Sequence, residues 1–61
     1  MKQAVFYIYS DYIKNVYTVK AARKDLEHYN KICNSVSELW VYLLHIQTEL
    51  RGRYKVVLKF M

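Results

Sequence analysis

Apolar and polar residues alternate near both ends of this chain, whereas its middle repeats apolar residues every three or four positions. Alternation is typical of strands, because successive side chains of a strand point to opposite faces of a sheet. Spacings of three and four place side chains on one face of a helix. The pattern therefore predicts strands toward the two ends of the chain and helical structure between them.

The N-terminal stretch FYIYSDYIKNVYTVKA, residues 6–21, allows two interpretations. Tyr12, Val16 and Val19 are three and four apart, which fits a helix that continues toward Cys33. In a hairpin with a two-residue turn at Lys14-Asn15, alternate residues of both strands lie on opposite faces of the sheet. The β-branched and aromatic residues of this stretch also suit strands. We prefer the hairpin, which predicts strands at about 3–13 and 16–21.

In this hairpin Ile13 faces Val16 and Tyr12 faces Tyr17, so that two different sheet faces are predicted. One face collects Ala4, Phe6, Ile8, Tyr12, Tyr17, Val19 and Ala21. The other collects Val5, Tyr7, Tyr9, Asp11, Ile13, Val16, Thr18 and Lys20.

The period then changes to that of a helix. One apolar stripe predicts a helix over 23–33, and the sequence Ser35-Val36-Ser37-Glu38 is a capping box that predicts a second helix over 36–51. The two could also be one helix with a kink at Asn34-Ser35. The second helix is expected to bury Val36, Leu39, Trp40, Leu43, Ile46 and Leu50 and to end at Gly52.

Alternation returns in RYKVVLKF, which predicts a third strand over 53–60. The expected fold class is therefore α+β: one domain over 1–61, with a three-stranded antiparallel sheet of order 2-1-3 and the helices on one face.

Composition narrows the function classes. The chain has 61 residues and a single cysteine, Cys33, so no internal disulfide is possible and a reducing compartment, the cytoplasm, is expected. The longest apolar run, Leu39 to Leu44, is far below the roughly 20 residues that span a bilayer, so we expect no membrane association.

Catalysis is not expected. His28, Cys33 and His45 lack the spacing of a metal site, and Cys33 lies on an apolar stripe where an inert core thiol is usual. No pair of acids suggests acid–base chemistry, and one glycine cannot form a phosphate-binding loop. We predict a protein that is not an enzyme and binds no metal or other cofactor.

The second hairpin face is the candidate binding site, because it holds more apolar surface than a free sheet face usually does. We predict that a partner contacts Tyr7, Tyr9, Ile13, Val16, Lys20, Arg23 and Lys24. Three occupants are open: a foreign protein, a second copy that forms a homodimer, or nucleic acid, for which the net charge of +5 and the neighbouring rings would be suited.

The layout resembles that of the Dmd-type antitoxins of large tailed phages. The likeness rests on VFYIYSDYIKNVYTVKAARKDL and on the final KVVLKF, and it is one of order and length across the chain rather than of a motif. It implies a class of small phage proteins that bind and block a host protein, such as an enzyme, a toxin or a CRISPR-type defence complex. No functional residue carries over from the family, and the basic charge departs from inhibitors that mimic nucleic acid by being acidic.

Overall fold

A β-hairpin opens the computed structural model, which describes residues 2–61. Strand β1 (Lys2–Asp11) pairs antiparallel with β2 (Val16–Ala21), so the hairpin interpretation is confirmed and the helical one is wrong. A 3-10 helix (Lys24–Tyr29), strand β3 (Lys31–Cys33), helix α1 (Val36–Leu50) and strand β4 (Tyr54–Phe60) follow. The α+β class is confirmed.

The hairpin turn is longer than predicted. Asp11 is the last residue of β1 and pairs with Val16, so Tyr12, Ile13, Lys14 and Asn15 form the turn. The Asp11 carboxylate stabilises this turn by accepting hydrogen bonds from the backbone N–H of Ile13 (3.0 Å) and of Lys14 (3.1 Å). Asn15 takes the positive φ of 57° that asparagine tolerates.

The longer turn changes the predicted register but not the faces of the paired residues. Val19 lies opposite Ile8, and Lys20 lies opposite Tyr7, a displacement of two residues from the predicted pairing. An even displacement keeps every paired side chain on its face, since the period of a strand is two. Only Tyr12 and Ile13 leave the sheet, and both are almost fully exposed in the turn.

The helix predicted over 23–33 is wrong. A 3-10 helix occupies its first part, and Lys31–Cys33 form a strand that pairs with β2. Asn30 separates the two: its side-chain Oδ1 accepts a 2.7 Å hydrogen bond from the N–H of Ala21. The hydroxyl of Tyr42 donates a 2.6 Å hydrogen bond to the carbonyl of Tyr29, which holds that carbonyl out of a helical ladder.

Strand β3 also explains why the sheet is mixed rather than antiparallel. The sheet has four strands in the order β3-β2-β1-β4, and β4 runs parallel to β1. The chain leaves β2 at the end of the sheet where β1 begins, and β3 reverses it before α1 starts. The helix therefore returns the chain to that same end, and β4 must run in the direction of β1.

Helix α1 covers one face of the sheet, called the inner face. The Ser35 hydroxyl accepts from the Glu38 N–H at 3.1 Å, which confirms one half of the predicted capping box, whereas the Glu38 carboxylate lies 3.9 Å from the Lys31 ammonium. Gly52 has a positive φ of 95°, as predicted for the end of the helix. Every element except β4 contributes buried residues to the core, which are Ala4, Phe6, Ile8, Val19, Ala21, Leu26, Tyr29, Cys33, Leu39, Leu43, Ile46 and Leu50. Strand β4 packs against this core with the partly buried Tyr54, Val56 and Leu58.

Two residues of the predicted helical stripe are not buried. Val36 and Trp40 lie on the flank of α1 above β4, and Trp40 is 55% exposed, with its ring 5.9 Å from that of Phe60. Among residues 2–61 the sheet ends at β4, so none of their strands lies under this flank of the helix.

Candidate binding surface

The face of the sheet opposite α1, called the outer face, carries the candidate site. Alternation along the four strands and the pairing between them place these residues on it: Gln3, Val5, Tyr7, Tyr9, Asp11, Val16, Thr18, Lys20, Ile32, Lys55, Val57 and Lys59. No helix of residues 2–61 packs on this face, since the residues that α1 buries belong to the inner-face core.

The centre of the outer face is a tyrosine between two lysines. Tyr7 pairs with Lys20 on β2 and with Lys59 on β4. Side chains that face each other across neighbouring strands have Cβ atoms about 4.5–5.5 Å apart. Both ammonium groups are therefore within reach of whatever covers the Tyr7 ring. Tyr7 itself is half-buried.

An apolar row lies next to this basic row. Tyr9 pairs with Thr18, which in turn pairs with the exposed Ile32 of β3. On the other side of Tyr7, Val5 pairs with Val57. Rings and β-branched side chains thus form a continuous surface with lysines at its margin.

A groove of about 530 Å³ opens at the hairpin end of the outer face. It is lined by Tyr9, Ser10, Asp11, Tyr12, Ile13, Thr18 and Lys20. Ile13, although it lies in the turn and not in a strand, is 97% exposed at this groove beside Tyr9. An open groove of this size can hold a few side chains of a partner.

The structure therefore brings five of the seven predicted contact residues to one surface. Tyr7, Tyr9, Val16 and Lys20 lie on the outer face, and Ile13 lies at its end. Arg23 and Lys24 lie elsewhere: Lys24 begins the 3-10 helix whose Leu26 and Tyr29 enter the core.

Arg23 has contacts of its own within the chain. Its Nε lies 3.0 Å from the Asp25 carboxylate, and its guanidinium lies 5.7 Å from the ring centre of Tyr54. The Asp25 hydrogen bond raises the pKa of Arg23, and the same bond lowers the pKa of the Asp25 carboxyl. Arg23 is therefore engaged at the other end of the molecule.

The outer face also contains residues that the sequence pattern did not assign to it, namely Gln3, Ile32, Lys55, Val57 and Lys59. Ile32 was placed in a helix, and its signal was the short alternation Lys31-Ile32-Cys33 after Asn30. The lysines of β4 could be assigned to the face only once the strand beside β1 and its register were known.

Cys33 is fully buried on β3, as predicted for a core thiol, although on a different element. Burial raises the pKa of the thiol, the Glu38 carboxylate adds to this, and Lys31 opposes it. Among residues 2–61, no three histidine, cysteine or acidic side chains converge as metal ligands. No helix of that part of the chain is both long and apolar enough to cross a membrane.

We expect native Cys33 to react with a maleimide at pH 7 more slowly than a free cysteine peptide, by a factor of about ten or more, since the thiolate forms less readily and reagent needs local opening. The rate is followed by mass spectrometry. Protein unfolded in urea serves as the control and should react at the rate of the peptide. Native labelling at the peptide rate would contradict the buried position.

Comparison with family models, curated proteins and solved structures gives no match to this chain. The outer face itself is therefore the basis for a functional proposal.

Proposed function

We propose that this protein is a non-enzymatic inhibitor that acts by covering the surface of a partner protein with its outer face. The resemblance to Dmd-type phage antitoxins implies a partner in the host cell, such as a toxin, a nuclease or a defence complex. The observation that carries the proposal is the uncovered sheet face with Tyr7 and Tyr9 at its centre and lysines at its margin.

The arrangement of that face favours a protein partner. Protein interfaces are enriched in aromatic residues at their centre, whereas lysines belong to their rim. Tyrosine suits such a centre, because its ring is buried by the partner while its hydroxyl stays hydrogen-bonded or hydrated. The face has one carboxylate, Asp11, and this group is held by the backbone of the turn. The outer face is thus complementary to a partner surface that has an apolar centre and acidic margins.

Tyr9→Ala is expected to weaken binding to the partner by a factor of ten or more, since a buried aromatic anchor contributes about 2 kcal/mol and about 1.4 kcal/mol is a factor of ten. The partner is captured from a nuclease-treated bacterial lysate on the immobilised protein and is then purified. Its affinity for each variant is measured by calorimetry. Lys20→Ala should have a smaller effect, because exposed ion pairs contribute about 0–1 kcal/mol.

Val41→Ala is the matched control, because Val41 is an exposed apolar residue of α1, on the other layer of the molecule. It should leave the affinity unchanged, and circular dichroism checks that both variants fold. Equal losses for Tyr9→Ala and Val41→Ala would exclude the outer face as the contact.

Nucleic acid is the second candidate, favoured by the row Lys20–Tyr7–Lys59, in which a ring that could stack on a base lies between two cations. Binding to a thymidine oligonucleotide is measured at two salt concentrations. If this candidate holds, the log–log slope is about −0.7 for each phosphate contact, and removing Lys59 reduces it by about one contact. A flat response to salt, with capture that survives nuclease, supports the protein partner instead.

A further inference from the structure

Strand β4 has a free edge. It pairs with β1 on one side, and no strand of residues 2–61 pairs with its other side. The N–H of Met61 donates to the carbonyl of Ile8, so the backbone groups of the odd-numbered residues face β1. Those of Tyr54, Val56, Leu58 and Phe60 consequently face outward along the free edge. Such a row of unpaired donors and acceptors can accept another strand.

The inner side of this edge is apolar. Phe60 is 57% exposed and its ring lies 5.9 Å from that of Trp40, which is exposed to a similar extent. Leu44, one turn further along α1, is 64% exposed. The contact between Trp40 and Phe60 extends the apolar inner face to the β4 edge, where a strand added to the sheet would place every second side chain, and Leu44 follows Trp40 on α1.

The outer side of the same edge is basic. Lys55 and Lys59 are exposed on the outer face, two positions on either side of the half-buried Val57. The other alternate side chains of an added strand would lie next to these two lysines, at about 4.5–5.5 Å between Cβ atoms.

We propose that the β4 edge binds an extended segment of a partner protein in which apolar and acidic residues alternate. The segment would continue the sheet beyond β4 by backbone hydrogen bonds to the outward groups of Val56 and Leu58. Its apolar side chains would contact Phe60, Trp40 and Leu44, and its carboxylates would pair with Lys55 and Lys59. This contact uses Lys55 and Lys59 of the outer face, but none of the residues that line the groove beside Tyr9, and it does not require that groove.

Charge favours this occupant over a second copy of the chain. Two β4 edges paired antiparallel would gather four lysines on one continuous outer face, two from each copy. The only acid of that face, Asp11, lies at the far end of β1. Two chains of net charge +5 would also repel each other. The same lysines thus reject self-pairing and attract an acidic strand.

The test uses the full chain, labelled with ¹⁵N, and a short capped peptide of alternating glutamate and valine. Peptide binding should slow hydrogen exchange at the amides of Val56, Leu58 and Phe60, which face the free edge, and leave those of Val19 and Leu43 unchanged. The matched control peptide has lysine in place of glutamate and should not bind.

Two variants separate the contribution of the lysine charges from that of the backbone hydrogen bonds. Lys55→Glu/Lys59→Glu should weaken binding of the glutamate peptide by about tenfold or more and should allow the lysine peptide to bind. Val56→Pro should abolish binding and keep the fold, since the N–H that it removes faces solvent and not β1. If Val56→Pro does not fold, Lys55→Glu/Lys59→Glu alone tests whether the β4 edge binds the acidic peptide.

Three outcomes would overturn the proposal. The first is equal binding of both peptides. The second is protection of amides on the outer face or on α1 without protection of Val56 and Leu58. The third is protection of these edge amides in the free protein that rises with protein concentration, because it would assign the edge to a second copy.

Discussion

Phe6→Ala should lower the free energy of unfolding by about 3–5 kcal/mol, a large part of the stability of so short a chain. The Phe6 side chain is fully buried in the middle of β1, between the neighbours Ala21 on β2 and Leu58 on β4. Its ring meets that of Tyr29 edge-on, with 6.1 Å between the ring centres. Removing a buried phenylalanine side chain costs about 3–5 kcal/mol. At about 0.05–0.15 kcal/mol per residue, a chain of this length has about 3–9 kcal/mol to lose.

The free energy of unfolding is measured by urea titration with circular dichroism. Phe60→Ala is the matched control, since it removes the same group from an exposed position on β4. It should cost much less, because its ring is already largely in water. Phe6→Leu should fall between the two. A Phe6→Ala variant as stable as Phe60→Ala would contradict the position of Phe6 in the core.

Asn30→Ala is expected to destabilise the protein by about 1–3 kcal/mol, although Asn30 contributes no apolar surface to the core. Its Oδ1 accepts from the N–H of Ala21, a buried residue at the end of β2. Alanine would leave that N–H without a partner. Asn30 lies between the 3-10 helix and β3, so the strand should be loosened as well.

Asn30→Asp is the control, because it keeps an oxygen at the same position. It should lose clearly less stability than Asn30→Ala in thermal unfolding, and hydrogen exchange at Ile32 and Cys33 should stay slow. Equal losses for the two variants would show that the hydrogen bond to Ala21 is not what holds β3.

These two residues also show which parts of the fold can be predicted from sequence. Phe6 belongs to a regular alternation, and such alternation correctly predicted β1, β2, β4 and the inner and outer faces. Helix α1 was predicted from its cap at Ser35 and its apolar period. In these elements the local pattern and the tertiary packing agree.

Residues 22–33 could not be predicted in this way. The spacing of Ala22, Leu26, Tyr29 and Cys33 fits a helix, but Asn30 and Tyr29 hydrogen-bond to Ala21 and Tyr42, which are distant in sequence. Tertiary hydrogen bonds thus override the local period. The predicted antiparallel direction of β4 was wrong for the same reason, because the direction of β4 depends on the chain reversal at β3, which the pattern did not predict.

The candidate surface likewise contains residues that could be predicted from the sequence and others that could not. Tyr7, Tyr9, Val16 and Lys20 share a face by period two, which sequence alone shows. Lys59 joins them only because β4 is parallel to β1 in one particular register. Trp40 was expected in the core because its helical spacing is correct, but burial also requires a strand beneath it, and the sheet ends at β4.

The pairing of β1 with β4 has a consequence for how the protein is made. Lys2, near the beginning of the chain, pairs with Tyr54, and Ile8 pairs with Phe60. On the ribosome, the hairpin of β1 and β2 can form early because its contacts are local. The hydrogen bonds between β1 and β4 can nevertheless form only after the last residues of β4 have emerged. Until then the backbone groups of β1 that face β4 are unpaired and form a second open edge, where another chain could pair.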